Sequence, residues 1–234
     1  MDLVHDLSRY LHVGVGFLGL AAFWVPVFSR KGSRLHVVIG KVFIACAYVV
    51  AGSALLGVIL RAGEFARSGR PLADYETLVL LAYLSIVTLA LARHAVRVIE
   101  TRKAPADVNS RAHRALIRTS QASSLLVIAF AVITRGHGMV ILLAMSPIGI
   151  ATGIGMIRYL DEPTRFKMGW MYEHIGAILG TGIAFHTAFA VFGAVRLFNL
   201  QPGAWMIIPW LAPTALGLTA IALWTRHYRR KFNE

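Results

Sequence analysis

Seven long apolar stretches alternate with short polar loops along this chain: about Tyr10–Phe28, Leu35–Leu60, Tyr75–Ala92, Ala115–Thr134, Gly138–Ile157, Gly169–Phe198 and Ala204–Trp224. Each is close to or above the roughly 20 apolar residues that a helix needs to cross a bilayer. Proline and glycine punctuate the gaps at Arg70-Pro71, Ala104-Pro105, Glu162-Pro163 and Gln201-Pro202-Gly203. Tyr10, Trp24, Trp170, Trp205 and Trp224 fall near span ends, where amphipathic rings anchor helices at the headgroup level. The pattern predicts an all-α membrane protein, a bundle of seven transmembrane helices. The shortest join is Arg135-Gly136-His137, between the fourth and fifth spans.

Charge gives this bundle a direction. Of the 24 Lys and Arg residues, 18 fall in the loops and helix ends on one side, among them Arg30, Lys31, Arg93, Arg97, Arg102, Arg111, Lys167 and Arg229. The other side holds six: Arg9, Arg61, Arg67, Arg70, Arg135 and Arg196. The positive-inside rule places the richer side in the cytoplasm, so the N-terminus is expected outside and the C-terminus in the cytoplasm.

Composition agrees. Hydrophobic residues make up 57% and charged residues 15% of the 234, against about 25% charged in a soluble domain. Mean hydropathy is +0.64. Residues 1–234 therefore read as a single integral membrane domain. The net charge of +13 flanks apolar spans and forms no separate basic module, so anionic lipid headgroups are the expected partner, not nucleic acid. Cys46 has no second cysteine to pair with. Met1–Asp6 lacks the cationic start of a signal peptide, so the first span is expected to be retained.

Several glycine patterns invite a functional reading and fail it. Gly14-x-Gly16-x-x-Gly19 has the letters of a dinucleotide fingerprint, but it lies inside an apolar span with no strand before it. Together with Gly149-x-x-x-Gly153 and Gly176-x-x-x-Gly180 it is expected to serve helix packing. Pro147, Pro209 and Pro213 are expected to kink their helices.

The ionisable residues inside the spans are the candidates for chemistry, because hydrocarbon tolerates them only with partners. Arg34-Leu35-His36 followed by Lys41 recurs as Arg111-Ala112-His113 followed by Arg118. In each helix the deeper cation lies about 7.5 Å beyond its histidine. Glu173 and His174 enter at a similar depth on the sixth span. The expectation is a polar cluster of His36, Lys41, His113, Arg118, Gln121, Glu173 and His174 near the cytoplasmic face. Against it stands the plainer reading that Lys41 and Arg118 snorkel to headgroups. His12 and His186 form a candidate outer pair.

At these residues the chain resembles an uncharacterised family of bacterial multi-span membrane proteins, domain of unknown function twenty-three-zero-six. Lys31-Gly32-Ser33-Arg34-Leu35-His36-x-x-x-Gly40-Lys41 is similar to its K-G-x-x-x-H-R-x-x-G-R pattern, and His113-Arg114-Ala115-Leu116-Ile117-Arg118-Thr119-Ser120 to H-R-x-W-M-I-R-S. Val37 stands in place of the arginine that follows the histidine in the first pattern. Ala115 and Leu116 stand in place of the aromatic–methionine pair, and Arg118 comes one position early. The resemblance implies a helical fold in the bacterial cytoplasmic (inner) membrane and no particular activity.

Two functions compete at this stage. The first is a membrane redox protein binding haem b through a pair among His36, His113 and His174, with Lys41 and Arg118 contacting propionates or a quinone. The second is a proton-coupled carrier using intramembrane Glu and His. A non-catalytic membrane subunit or receptor, and a three-histidine metalloenzyme, are further alternatives.

Overall fold

The computed structural model describes residues 2–199, 201 and 207–234, with side chains from Asp6 onward. Trp205 and the expected start of the seventh span at Ala204 lie outside the described residues. The described residues are helical, with seven segments long and apolar enough to cross a membrane. In chain order the helices are α1 (Asp2–Phe28), α2 (Arg34–Arg67), α3 (Glu76–Glu100), α4 (Arg111–Thr134), α5 (Met139–Met145), α6 (Pro147–Asp161), α7 (Gly169–Ala188), α8 (Val195–Leu197) and α9 (Ile207–Phe232). A single π-helical stretch, Phe189–Ala194, joins α7 to α8.

Three helices run seven or eight residues past the C-terminal ends that hydropathy predicts: α2, α3 and α9, the last reaching Phe232 in place of Trp224. α2 continues to Arg67, and an Arg61–Glu64 pair at 2.8 Å one turn apart supports the extra residues. α3 continues eight residues beyond Ala92. Arg93 and Arg97 interrupt the apolar run there, yet Leu91, His94, Ala95 and Val98 keep the helical period and are buried.

α3 is the hub. Within its apolar window 44% of residues are buried, against 0% for α9, which packs at the margin on α7. α3 touches α2, α4 and α7, and two cores meet along it. One is built from Tyr83, Val98, Ile117 and Leu160 with their neighbours, the other from Phe23, Phe43, Ala47, Ala92 and Phe185.

The fifth span is broken at Ser146-Pro147. Proline has no N–H, so the Leu143 carbonyl four residues back loses its donor. The Ser146 hydroxyl replaces it at 3.0 Å. Tyr83 of α3 mends the next turn: its hydroxyl lies 3.0 Å from both the Met145 and Ser146 carbonyls and accepts from the Gly149 N–H at 2.8 Å. A phenol is thus inserted into the helix ladder. α9, by contrast, runs through Pro209 and Pro213 without a break.

The short α4–α5 turn is pinned by another α3 side chain. Arg135 closes α4 in the left-handed region at φ 49°, and the Gly138 N–H donates to Glu76 Oε2 at 2.8 Å. A Cβ on Gly136 would stand 2.0 Å from the Glu76 carboxylate, so a larger residue there would displace that side chain from the turn. Gly149 and Gly153 seat α6 on Ser124 and Gln121 of α4, and Gly180 seats α7 on Leu91. The expected packing role does not extend to Gly14, Gly16 or Gly176, where a Cβ would meet nothing within 4 Å.

Contacts draw the basic loops to one end of the bundle. Lys31 lies over Trp224, Arg102 over Trp170, and Arg114 pairs with Asp161. Glu234 accepts from the Tyr172 hydroxyl at 2.6 Å and the Met168 N–H at 3.1 Å, and the first of these helps hold its carboxyl below the usual range.

Tyr83→Phe removes the one group that, among the described residues, hydrogen-bonds to the α5–α6 junction from outside its own span. It is expected to destabilise the protein by about 1–3 kcal/mol, the cost of leaving buried polar groups unpaired. Reversible unfolding in mixed micelles measures this; an unchanged midpoint would show that the junction mends itself.

Candidate functional site

The basic end of the bundle holds a continuous chain of buried polar contacts. α4 starts at Ser110, whose side chain caps the His113 N–H at 3.3 Å. That start places His113 in the first turn, facing inward and 3% exposed. Opposite it on α3 is His94, with no exposed surface. His94 Nδ1 lies 3.0 Å from His113 Nε2, with the two ring planes 11° apart. On its other side His94 Nε2 lies 3.0 Å from Glu173 Oε2 of α7. Tyr159 of α6 presents a ring edge to His94, with centroids 5.9 Å apart. Four helices meet at this histidine.

The chemistry of the partners fixes the protons. A carboxylate only accepts, so with Glu173 ionised His94 carries its proton on Nε2. His94 Nδ1 then offers a lone pair, and His113 must donate from Nε2. This leaves a lone pair on His113 Nδ1, which is buried and without a hydrogen-bond partner. The carboxyl end is the accessible one: the Glu173 side chain is 30% exposed, that of His94 0%. Arg93 and Arg97 lie within electrostatic reach of His113.

Of the residues expected at this site, the structure joins His113 and Glu173, through a histidine that the hydropathy reading had left outside the third span. Helical period would have found it, since His94 follows Leu91 by three positions and precedes Val98 by four. His174 stands beside the chain and donates from Nδ1 to the Ala95 carbonyl at 2.9 Å. His36 donates in the same way to the Pro26 carbonyl at 3.1 Å, and it lies within electrostatic range of His174.

The expected cations stand apart. Lys41 is exposed on α2. Arg118 is exposed on α4 and donates to Gln121 at 3.0 Å. The outer pair does not meet either. His12 contacts the Val50 carbonyl at 3.1 Å and the Ser53 hydroxyl at 3.0 Å, both on α2. His186 lies edge-on to Phe23 and Trp24, eleven and twelve residues further along α1 than His12, about 17 Å of helix rise.

Among the described residues, no group of three or more His, Cys, Asp or Glu side chains has a metal-holding arrangement. Comparison with protein-family models, with curated proteins and with solved structures finds no match to this chain.

The geometry separates the histidines by tautomer. His94 and His113 are expected as Nε2–H tautomers, and His36, His174 and His186 as Nδ1–H tautomers. Imidazole ¹⁵N shifts of the protein in micelles at neutral pH read this directly. Nδ1–H at both His94 and His113 would reverse the assigned chain.

Proposed function

We propose that this chain is a multi-pass protein of the bacterial cytoplasmic membrane that hands a proton along Glu173–His94–His113 in support of proton-coupled transport. Its more basic end is taken to face the cytoplasm, with the N-terminus outside and the C-terminus inside. The observation that carries the reading is the pair of 3.0 Å links, which connect a part-exposed carboxylate to a buried imidazole nitrogen through a fully buried ring.

The transfer balances without side-chain movement. A proton reaching His113 Nδ1 releases the one on His113 Nε2 to His94 Nδ1. His94 then gives its Nε2 proton to Glu173. One proton has moved from the interior of the bundle to its accessible end, and each group has exchanged one proton for another except the carboxylate, which is now neutral. Return of the two rings to their starting tautomers resets the chain. Intramembrane Glu and His serve such relays because each can be neutral or charged at modest cost when the other compensates.

The His94–His113 contact argues against metal ligation at that pair. Two nitrogens holding one metal from opposite sides stand about 4 Å apart, at about 2 Å per bond, and these are at hydrogen-bond distance. A haem-b reading has one observation in its favour elsewhere: His36 and His174 come from different helices, and both keep Nε2 available by donating from Nδ1 to a carbonyl. A Soret band in the purified protein that is lost on His36→Leu or His174→Leu would support it over the relay.

In liposomes loaded with a pH-sensitive dye under an imposed potential, the wild type is expected to carry protons. Glu173→Gln and His94→Phe are each expected to reduce the rate by about 10²-fold, in the range of losing a positioned proton-transfer group. Lys41→Ala should leave it within about twofold, as for an exposed cation that snorkels. Wild-type flux in the Glu173→Gln protein would end this reading.

A further inference from the structure

A second feature lies away from the relay and does not depend on it. Between α1, α7 and α9 is an apolar groove of about 250 Å³. Its walls include Phe23, Trp24 and Trp224, and α9 lines it with Pro213 and Gly217. It lies along the membrane-spanning part of the bundle, so its occupant arrives through lipid. One ionisable side chain, His186, lines it. The π-helical stretch begins three residues beyond His186, a local widening that accompanies functional positions in many helices.

His186 gives the groove a hydrogen-bond sign. Its Nδ1 lies 2.8 Å from the Gly182 carbonyl, which can only accept, so Nδ1 carries the proton. The neutral ring therefore offers a lone pair at Nε2. An acyl tail has nothing to donate to Nε2. A quinone carries only carbonyl acceptors and faces lone pair with lone pair. A hydroxyl on a flat aromatic ring satisfies both features, donating to Nε2 while its ring packs against the aromatic walls.

We infer that this groove binds the ring of a lipid-soluble quinol, with a ring hydroxyl donating to His186 Nε2, and that it favours the quinol over the corresponding quinone. The site reads the oxidation state of its ligand through one hydrogen bond. The preference follows from the Nδ1–Gly182 contact, which sets the tautomer and leaves Nε2 an acceptor.

The test is calorimetric titration of the full chain in lipid nanodiscs with a decyl-substituted benzoquinol kept reduced, with its quinone, and with dodecanol. The quinol is expected to bind saturably at one per chain, about tenfold more tightly than the quinone, as for one buried hydrogen bond. His186→Phe should remove that preference, with quinol binding falling to the quinone's level. Ala220→Phe fills the groove from α9 and should abolish binding of both forms while leaving His186 in place. Circular dichroism and elution volume identify any variant that fails to fold, and the two variants alter different helices. Equal binding of quinol and quinone, quinol binding unchanged by His186→Phe, or dodecanol binding as tightly as the quinol would each overturn the proposal.

Discussion

Hydrocarbon supplies no hydrogen-bond partners, so helices apolar enough to cross it gain by pairing their polar groups with other parts of the protein. α3 supplies such partners at three levels. Glu76, Tyr83 and His94 are seven and eleven residues apart, close to two and three whole helical turns, so they lie on one ridge. Each tip repairs a weakness in another helix. Glu76 holds the tight α4–α5 turn, Tyr83 fills the interrupted ladder at Pro147, and His94 joins α4 to α7. The hub position of α3 and the polarity of its ridge are one design: a helix surrounded by neighbours can serve them all.

The same constraint separates structural polar contacts from chemical ones. The Tyr83 hydroxyl is held by two carbonyls and one N–H, with Ser124 also close, and has little left to offer a ligand. The histidine chain ends differently. Three of its four ring nitrogens are paired, and the fourth, His113 Nδ1, is buried with nothing to bond. Leaving a buried acceptor open costs on the order of 1–3 kcal/mol. Glu76 Oε1 at the α4–α5 turn is open as well, so it is the combination of the open ring nitrogen with a part-exposed carboxylate at the other end that sets the histidine chain apart.

The architecture was legible because seven apolar windows need no knowledge of partners. Their edges were less so. Hydropathy ends the third span at Ala92 because Arg93 and Arg97 follow, whereas the helix carries both as half-buried residues and keeps burying every third or fourth residue as far as Val98. That difference hid His94, and with it the link between His113 and Glu173, both of which the charge pattern had picked out. The recurrence around Lys41 and Arg118 allows convergence or snorkelling, and helical geometry leaves both cations exposed on outward faces, as the second reading has it. Nor could sequence show that His12 and His186 stand far apart along α1, since their relative depth depends on how α1 and α7 cross.

The central claim is that His94 and His113 share one proton-bearing contact inside the bundle. Scalar coupling through a hydrogen bond, observed between ¹⁵N-labelled imidazoles in the membrane-embedded protein, reports that contact and nothing else. A correlation joining His94 Nδ1 to His113 Nε2 is expected, and it should vanish when His94 is replaced by phenylalanine. Two separate imidazole spin systems with no coupling between them, in the folded wild type at neutral pH, would contradict the account.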